Sequence, residues 1–222
     1  MATRGNSNQI IVGSAQLFVS KSGPLEYNSA LALYAFSSAS TTSGIPAFAS
    51  GTSFADTVES ASVNWRNVGF TMNGLDVQFQ PDFGEVQVDQ LLDVAKLYKQ
   101  GMQVNMVTAF AEATLENLVV AIATPGTNLT GSTTKTLELV SGSLGETPVE
   151  RALIAVGPGS GDPAATGAKA VERVYVGNRV LSIENVSVSA KRDEPSMYEV
   201  TFRLLPASNG SYGKIVDRVV GS

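Results

Sequence analysis

Apolar and polar side chains alternate with a period of two in several separate segments of this chain, divided by glycine, proline or serine clusters. That pattern puts one residue in two on a buried face, so it fits strands with one dry and one wet side and restricts the chain to a mainly β fold. The clearest case is residues 70–90. On Leu75–Gln80, Leu75, Val77 and Phe79 oppose Asp76, Gln78 and Gln80. On Glu85–Asp89, Val86 and Val88 oppose Glu85, Gln87 and Asp89. Between them, Pro81-Asp82-Phe83-Gly84 carries turn residues, which predicts a hairpin of two strands, Phe70–Gln80 and Glu85–Gln90. Its polar face would hold Asp76, Gln78, Gln80, Glu85, Gln87 and Asp89 without a cation.

Leu91–Gln100 reads as a short helix or an irregular link ending at Gly101, and Met102–Phe110 as a strand. Leu115, Leu118, Val119 and Ile122 then recur at helical spacing. Thr114 suits the N-cap, Glu116 favours the first turn, and Pro125-Gly126 stops the helix. Elsewhere the pattern predicts strands over Ile10–Val19, Leu31–Phe36, Thr134–Val140, Val149–Val156, Ala168–Val176, Leu181–Ala190 and Met197–Leu205, with Val63–Val68 leading into the hairpin. The tail from Asn209 either docks as a last strand or extends to a neighbour. About ten strands with one or two helices predict an antiparallel β-sandwich or barrel with one flanking α-helix. No composition break divides the chain, so residues 1–222 are expected to form one domain.

Residues 37–61 lose all periodicity. A structureless insertion of that length is either a surface loop or a functional arm. The aromatic side chains favour an arm that orders on a neighbouring subunit, with Ile45, Phe48 and Phe54 as docking residues.

The residue inventory narrows the function. The chain has no cysteine and no histidine, which removes disulfides, thiolate or imidazole metal sites, a cysteine nucleophile and a Ser-His-Asp triad. Gly157-Pro158-Gly159-Ser160-Gly161-Asp162 lacks the Gly-Lys-Ser/Thr ending of a phosphate loop. Glu85 and Asp89 would lie about 13 Å apart along a strand, too far to share a cation. No carboxylate pair stands out as glycosidase-like, and no catalytic, cofactor or metal residue is predicted. Three Asn-x-Ser/Thr patterns, at Asn128, Asn185 and Asn209, are read as chance in a chain without a signal-like start. No apolar run approaches the roughly 18 residues that span a bilayer. A soluble protein made in the cytoplasm is expected. A net charge of −5 argues against general nucleic-acid binding.

Four segments, Gly69-Phe-Thr-Met-Asn-Gly-Leu-Asp76, Phe83-Gly-Glu-Val-Gln-Val-Asp-Gln90, Gly101-Met-Gln-Val-Asn-Met-Val-Thr108 and Ala111-Glu-Ala-Thr-Leu-Glu-Asn-Leu118, together resemble the major tail tube proteins of tailed bacteriophages. The resemblance covers roughly residues 63–123, is weaker over Arg173–Leu205 and is absent from the Ser/Thr-rich segment. It implies a β-sandwich flanked by a helix, closing into hexameric rings whose inner sheets join into one barrel. Rings would stack into a tube around a tape-measure protein, completed by tail terminator and tip proteins. DNA would pass through the lumen without specific binding, in a virion tail assembled in the host bacterial cytoplasm. A long non-contractile tail is the expected type. Asp76, Glu85 and Asp89 are then the lumen-facing candidates, because a conduit for phosphate needs a face that does not trap it. Ile45, Phe48 and Phe54 are the inter-ring candidates, and deletion of residues 38–60 is expected to leave a folded monomer. A capsid-decoration or host-binding β-sandwich and the tube subunit of a contractile injection device are the alternatives, with a carboxylate hydrolase third.

Overall fold

The computed structural model describes residues 13–36, 40–48, 52–61, 63–87, 94–142, 144, 147–160, 171–188, 192 and 195–220. Asp89 with the rest of residues 88–93, residues 10–12 of the expected first strand, and residues 161–170 of the glycine-rich segment and the strand after it lie outside the described residues. The strands are β1 (Gln16–Ser20), β2 (Glu26–Asn28), β3 (Leu33–Ala35), β4 (Trp65–Asn67), β5 (Thr71–Gln87), β6 (Val94–Phe110), β7 (Leu129–Thr130), β8 (Thr136–Leu137), β9 (Arg151–Pro158), β10 (Val171–Ser182), β11 (Tyr198–Leu205) and β12 (Gly213–Val219). Two helices are described, α1 (Phe54–Ser60) and α2 (Leu115–Ala121). One antiparallel sheet runs β4-β1-β9-β10-β11-β6-β5, with β12 also on β10, and β2–β3 and β7–β8 form two small hairpins.

The long strand β10 shapes the sheet. β9 takes one of its edges, while β12 lies against Val171–Gly177 and β11 against Arg179–Ser182 on the other. The β9 register breaks between Gly177 and Val180. A Cβ on Gly177 would sit 2.8 Å from the Val180 side chain, so this close approach needs a glycine. Past the break the sheet turns over itself. Leu17, Val19 and Leu153 of one part then meet Met106, Phe110 and Phe202 of the other in a common core, the arrangement of a β-sandwich. A second core covers the opposite face of β1, β9 and β10, where Phe18, Ile154 and Val176 meet Phe54 and Val58 of α1, with Ile45 and Trp65.

Several sequence expectations change, two of them large. No turn forms at Pro81–Gly84, because β5 runs straight through and pairs with β6 from Thr71↔Phe110 to Gln87↔Val94. β5 ends the sheet, and proline, which cannot donate to a ladder, is tolerated on an edge strand. Gly84 is no turn residue: a Cβ there would lie 2.4 Å from Gln100 Nε2 and 2.6 Å from the Tyr98 ring, so its role is to leave room for its cross-strand neighbours. Val94–Gln100, read as helix or link, is strand, since pairing to β5 satisfies one edge of its backbone. The Asn73-Gly74 pair, in left-handed conformation (φ 65 and 70), inserts as a bulge opposite Thr108 and is pinned by the Thr108 hydroxyl donating to Gly74 O (2.9 Å).

The second change concerns residues 37–61, whose described part is no free arm. It holds α1, capped by Ser53, whose Oγ accepts from Ala55 N (3.2 Å). Glu172 of β10 adds a carboxylate at the same helix end, accepting from Ser53 Oγ (2.5 Å) and Phe54 N (2.9 Å). Deleting residues 38–60 would therefore remove part of the second core, and the expected folded monomer is withdrawn.

Of the other strands, β9 and β11 fall where the sequence puts them, and of the two alternatives for the tail it is the docked last strand, β12, that forms. Thr134–Val140 shortens to β8, and β10 ends at Ser182, so Leu181–Ala190 is not a separate strand. Thr114 caps α2 as expected, its Oγ accepting from Asn117 N (3.2 Å). The buried side of α2 is rotated from the predicted stripe: Asn117, Val120 and Ala121 are buried with Val119, whereas Ile122 is 38% exposed. Asn117 is fully buried because its amide is completely used. It donates to Val68 O and Glu112 O (both 2.8 Å) and accepts from Arg66 Nη1 (2.7 Å), tying α2 to β4.

Candidate assembly surface

β5 and β6 are each 17 residues long, but β11 supports β6 only over Asn105–Phe110. Beyond Asn105 the pair continues as a two-stranded ribbon, with no third strand beside it among the described residues. An isolated two-stranded hairpin is marginal in water, and long free edges invite further pairing. The ribbon is also apolar where it is open: Phe79 (53%), Phe83 (54%), Leu97 (60%) and Tyr98 (44%) are exposed. Exposed hydrophobic residues clustered on a free strand pair mark an interaction surface. The sequence shows each of these residues, but reading a turn at Pro81 hides that they share one ribbon.

The register sorts the predicted lumen residues. β5 alternates without insertion from Leu75 to Val86, the extra residue near Phe83 being Gln100 on β6. Asp76 and Glu85 are an odd number apart on one strand, so they point to opposite faces, and the expected common acidic face does not form. Asp76 is exposed on the side away from the core and accepts from Gln78 Nε2 (2.8 Å). Its neighbours by register are Val107 and Thr201, and the same face continues through Gln78, Asn105 and Arg203. That face is rich in amides and mixed in charge, since Arg203 stands among Asp76 and Glu199. Glu85 is exposed on the other side of the ribbon.

The predicted inter-ring residues also separate. Phe54 is fully buried and Ile45 is 7% exposed, both within the second core. Phe48, 38% exposed, stacks on Phe54 (4.5 Å between centroids, 12° between planes), and Lys214 Nζ lies 4.9 Å from its centroid. Phe48 alone of the three presents area to a neighbour.

Below the ribbon, an open groove of about 650 Å³ separates it from β12. Val77, Phe79, Met102 and Val104 form one wall, and Tyr212 and Ile215 the other. Tyr212 Oη crosses between the walls and donates to Met102 O (2.7 Å). Lys99 and Lys214 also line the groove, and no carboxylate does. Burial pulls the Lys214 ammonium below its ordinary pKa, an effect that nearby Tyr34 opposes. Among the described residues no group of three or more Asp or Glu converges on a possible metal position, and no helix is long and apolar enough to cross a membrane. No protein-family model matches the sequence, and no curated protein matches it significantly.

Proposed function

We propose that this chain is a structural subunit that assembles with copies of itself through the β5–β6 ribbon. The observation that carries the reading is the overhang: a long strand pair that leaves its sheet with free edges and exposed Phe79, Phe83, Leu97 and Tyr98. Closing such edges against neighbours in a ring removes both the unpaired backbone and the exposed apolar area.

Within that class, the sequence resemblance of residues 69–118 favours a bacteriophage tail tube subunit. Six copies would close into a ring, and rings would stack around a tape-measure protein into the tube, bounded by terminator and tip proteins. The ribbon contributes to the inner wall, and DNA passes without being held. The lumen-facing proposal narrows to Asp76 and the amide-rich face around Gln78 and Asn105, where Arg203 stands alongside and Lys96 lies further along the ribbon. The part is passive, with no catalysis, in a virion tail put together in the host cytoplasm.

Negative-stain electron microscopy and sedimentation velocity over a rising concentration series test the reading. Six-fold rings or tubes are the expected result. Monomers at every concentration would remove self-assembly, and a discrete trimer would favour a decoration or host-binding protein.

A further inference from the structure

The segment that follows β8 is unusual for its exposure. After Glu138 N donates to Asn128 O (3.0 Å), residues 139–142 make no backbone hydrogen bond among the described residues. Leu139 is 80% exposed and Val140 64%, and Leu144 beyond them is fully exposed. Among the described residues, Val140 lies beside Ile122 and Pro148, and no part of the same copy covers Leu139 or Leu144.

The groove beside the ribbon has complementary features. Among the described residues, no strand pairs with β6 over residues 95–104 on the side where β11 pairs its later residues, Tyr212 Oη taking only Met102 O there, and β12 pairs only with β10. Both strands contribute lining residues, so the groove lies between two strands that each have ladder positions to offer. Its walls are apolar and its charges, Lys99 and Lys214, are cationic, whereas the arm carries the exposed carboxylate Glu138 next to Leu139.

We infer that residues 138–142 of one copy dock as an added strand in the groove between β12 and the β5–β6 ribbon of another. Leu139 enters between Phe79 and Ile215, and Glu138, on the opposite face of the added strand, faces Lys214, the residue next to Ile215 on β12. The arm and the groove are different surfaces of the chain, so the contact is head-to-tail and propagates, closing a ring or extending a stack according to its rotation. The inference rests on the proposal that copies associate, and adds which two surfaces meet.

The absence of cysteine makes the test direct. Chains carrying Leu139→Cys and chains carrying Ile215→Cys, different in mass through a tag on one, are mixed under assembling conditions and oxidised. The expected product is the mixed disulfide pair, well above either self-pair. Glu138→Lys on the first chain should slow its formation by up to about fivefold, and Lys214→Glu on the second should restore it. If wild-type protein assembles while the mixed pair fails to form, or Leu139 links mainly to Leu139, the docking is wrong and the assembly reading stands. If wild-type protein sediments only as monomer and no mixed pair forms, both fall.

Discussion

Replacing Phe54 by alanine distinguishes a core residue from one on an arm awaiting a partner. The ring is fully buried, stacked on Phe48 at 4.5 Å and packed in the second core with Val58 and Ile154. Truncating a buried phenylalanine costs about 3–5 kcal/mol from lost transfer energy and the cavity left behind. The backbone is not altered, because Glu172 still accepts from the amide at position 54 and Ser53 still caps α1. A domain of this kind has roughly 5–15 kcal/mol in total, so the variant should fold but be much weakened. With a urea m-value of about 2–3 kcal/mol/M, the midpoint should fall by about 1–2 M at monomeric concentration, where no partner contributes. Phe48→Ala, half-exposed and losing mainly the stacking contact, should cost only about 1 kcal/mol. The measurement is equilibrium urea unfolding followed by tryptophan fluorescence, since Trp65 lies in the same core. A midpoint shift under about 0.2 M for Phe54→Ala, the size of an ordinary surface substitution, would refute the placement of residues 52–61 in the core.

Three further outcomes are expected. Glu85→Cys with Leu97→Cys, direct cross-strand partners in the ribbon, should form an intramolecular disulfide in dilute protein; two free thiols after oxidation would argue against the continuous β5–β6 pairing. Asn117→Ala should destabilise by about 2–4 kcal/mol, because two carbonyls and the Arg66 guanidinium lose their shared partner in a buried site; a thermal melt unchanged from wild type would contradict that role. Hydrogen bonding to Arg173 (2.6 Å from each carboxylate oxygen) holds the Asp217 carboxyl below its ordinary pKa. The stabilisation is present above the unfolded carboxyl's pKa, about 3.9, and is lost as pH falls through the folded value. Asp217→Asn should accordingly cost under about 1 kcal/mol at pH 6 for this partly exposed pair, with the difference from wild type vanishing in acid unfolding curves near pH 2; a gap that widened in acid would reverse the assignment.

Local chemistry made much of this protein legible. Period-two alternation marks β11 because one of its faces packs in the core, and Thr114 identifies the start of α2 because an N-cap is decided by the next three residues. Missing side-chain types exclude the imidazole and thiol chemistries before any coordinates are considered. Tertiary contacts settled the rest. Pro81-Asp82-Phe83-Gly84 carries turn residues, yet an edge position tolerates the proline and β6 supplies a partner over the whole length, so the strand goes on. That single change moves Glu85 to the face opposite Asp76 and turns scattered apolar residues into one exposed ribbon. Likewise Phe54 resembles a docking residue while the segment lacks periodicity, and becomes core only because Glu172, more than a hundred residues away, holds its helix end against β10. Sequence fixes which residues can be strand, cap or reagent through their own backbone and side-chain preferences. Which faces end up together depends on contacts between distant residues, and those exist only once the sheet has folded over.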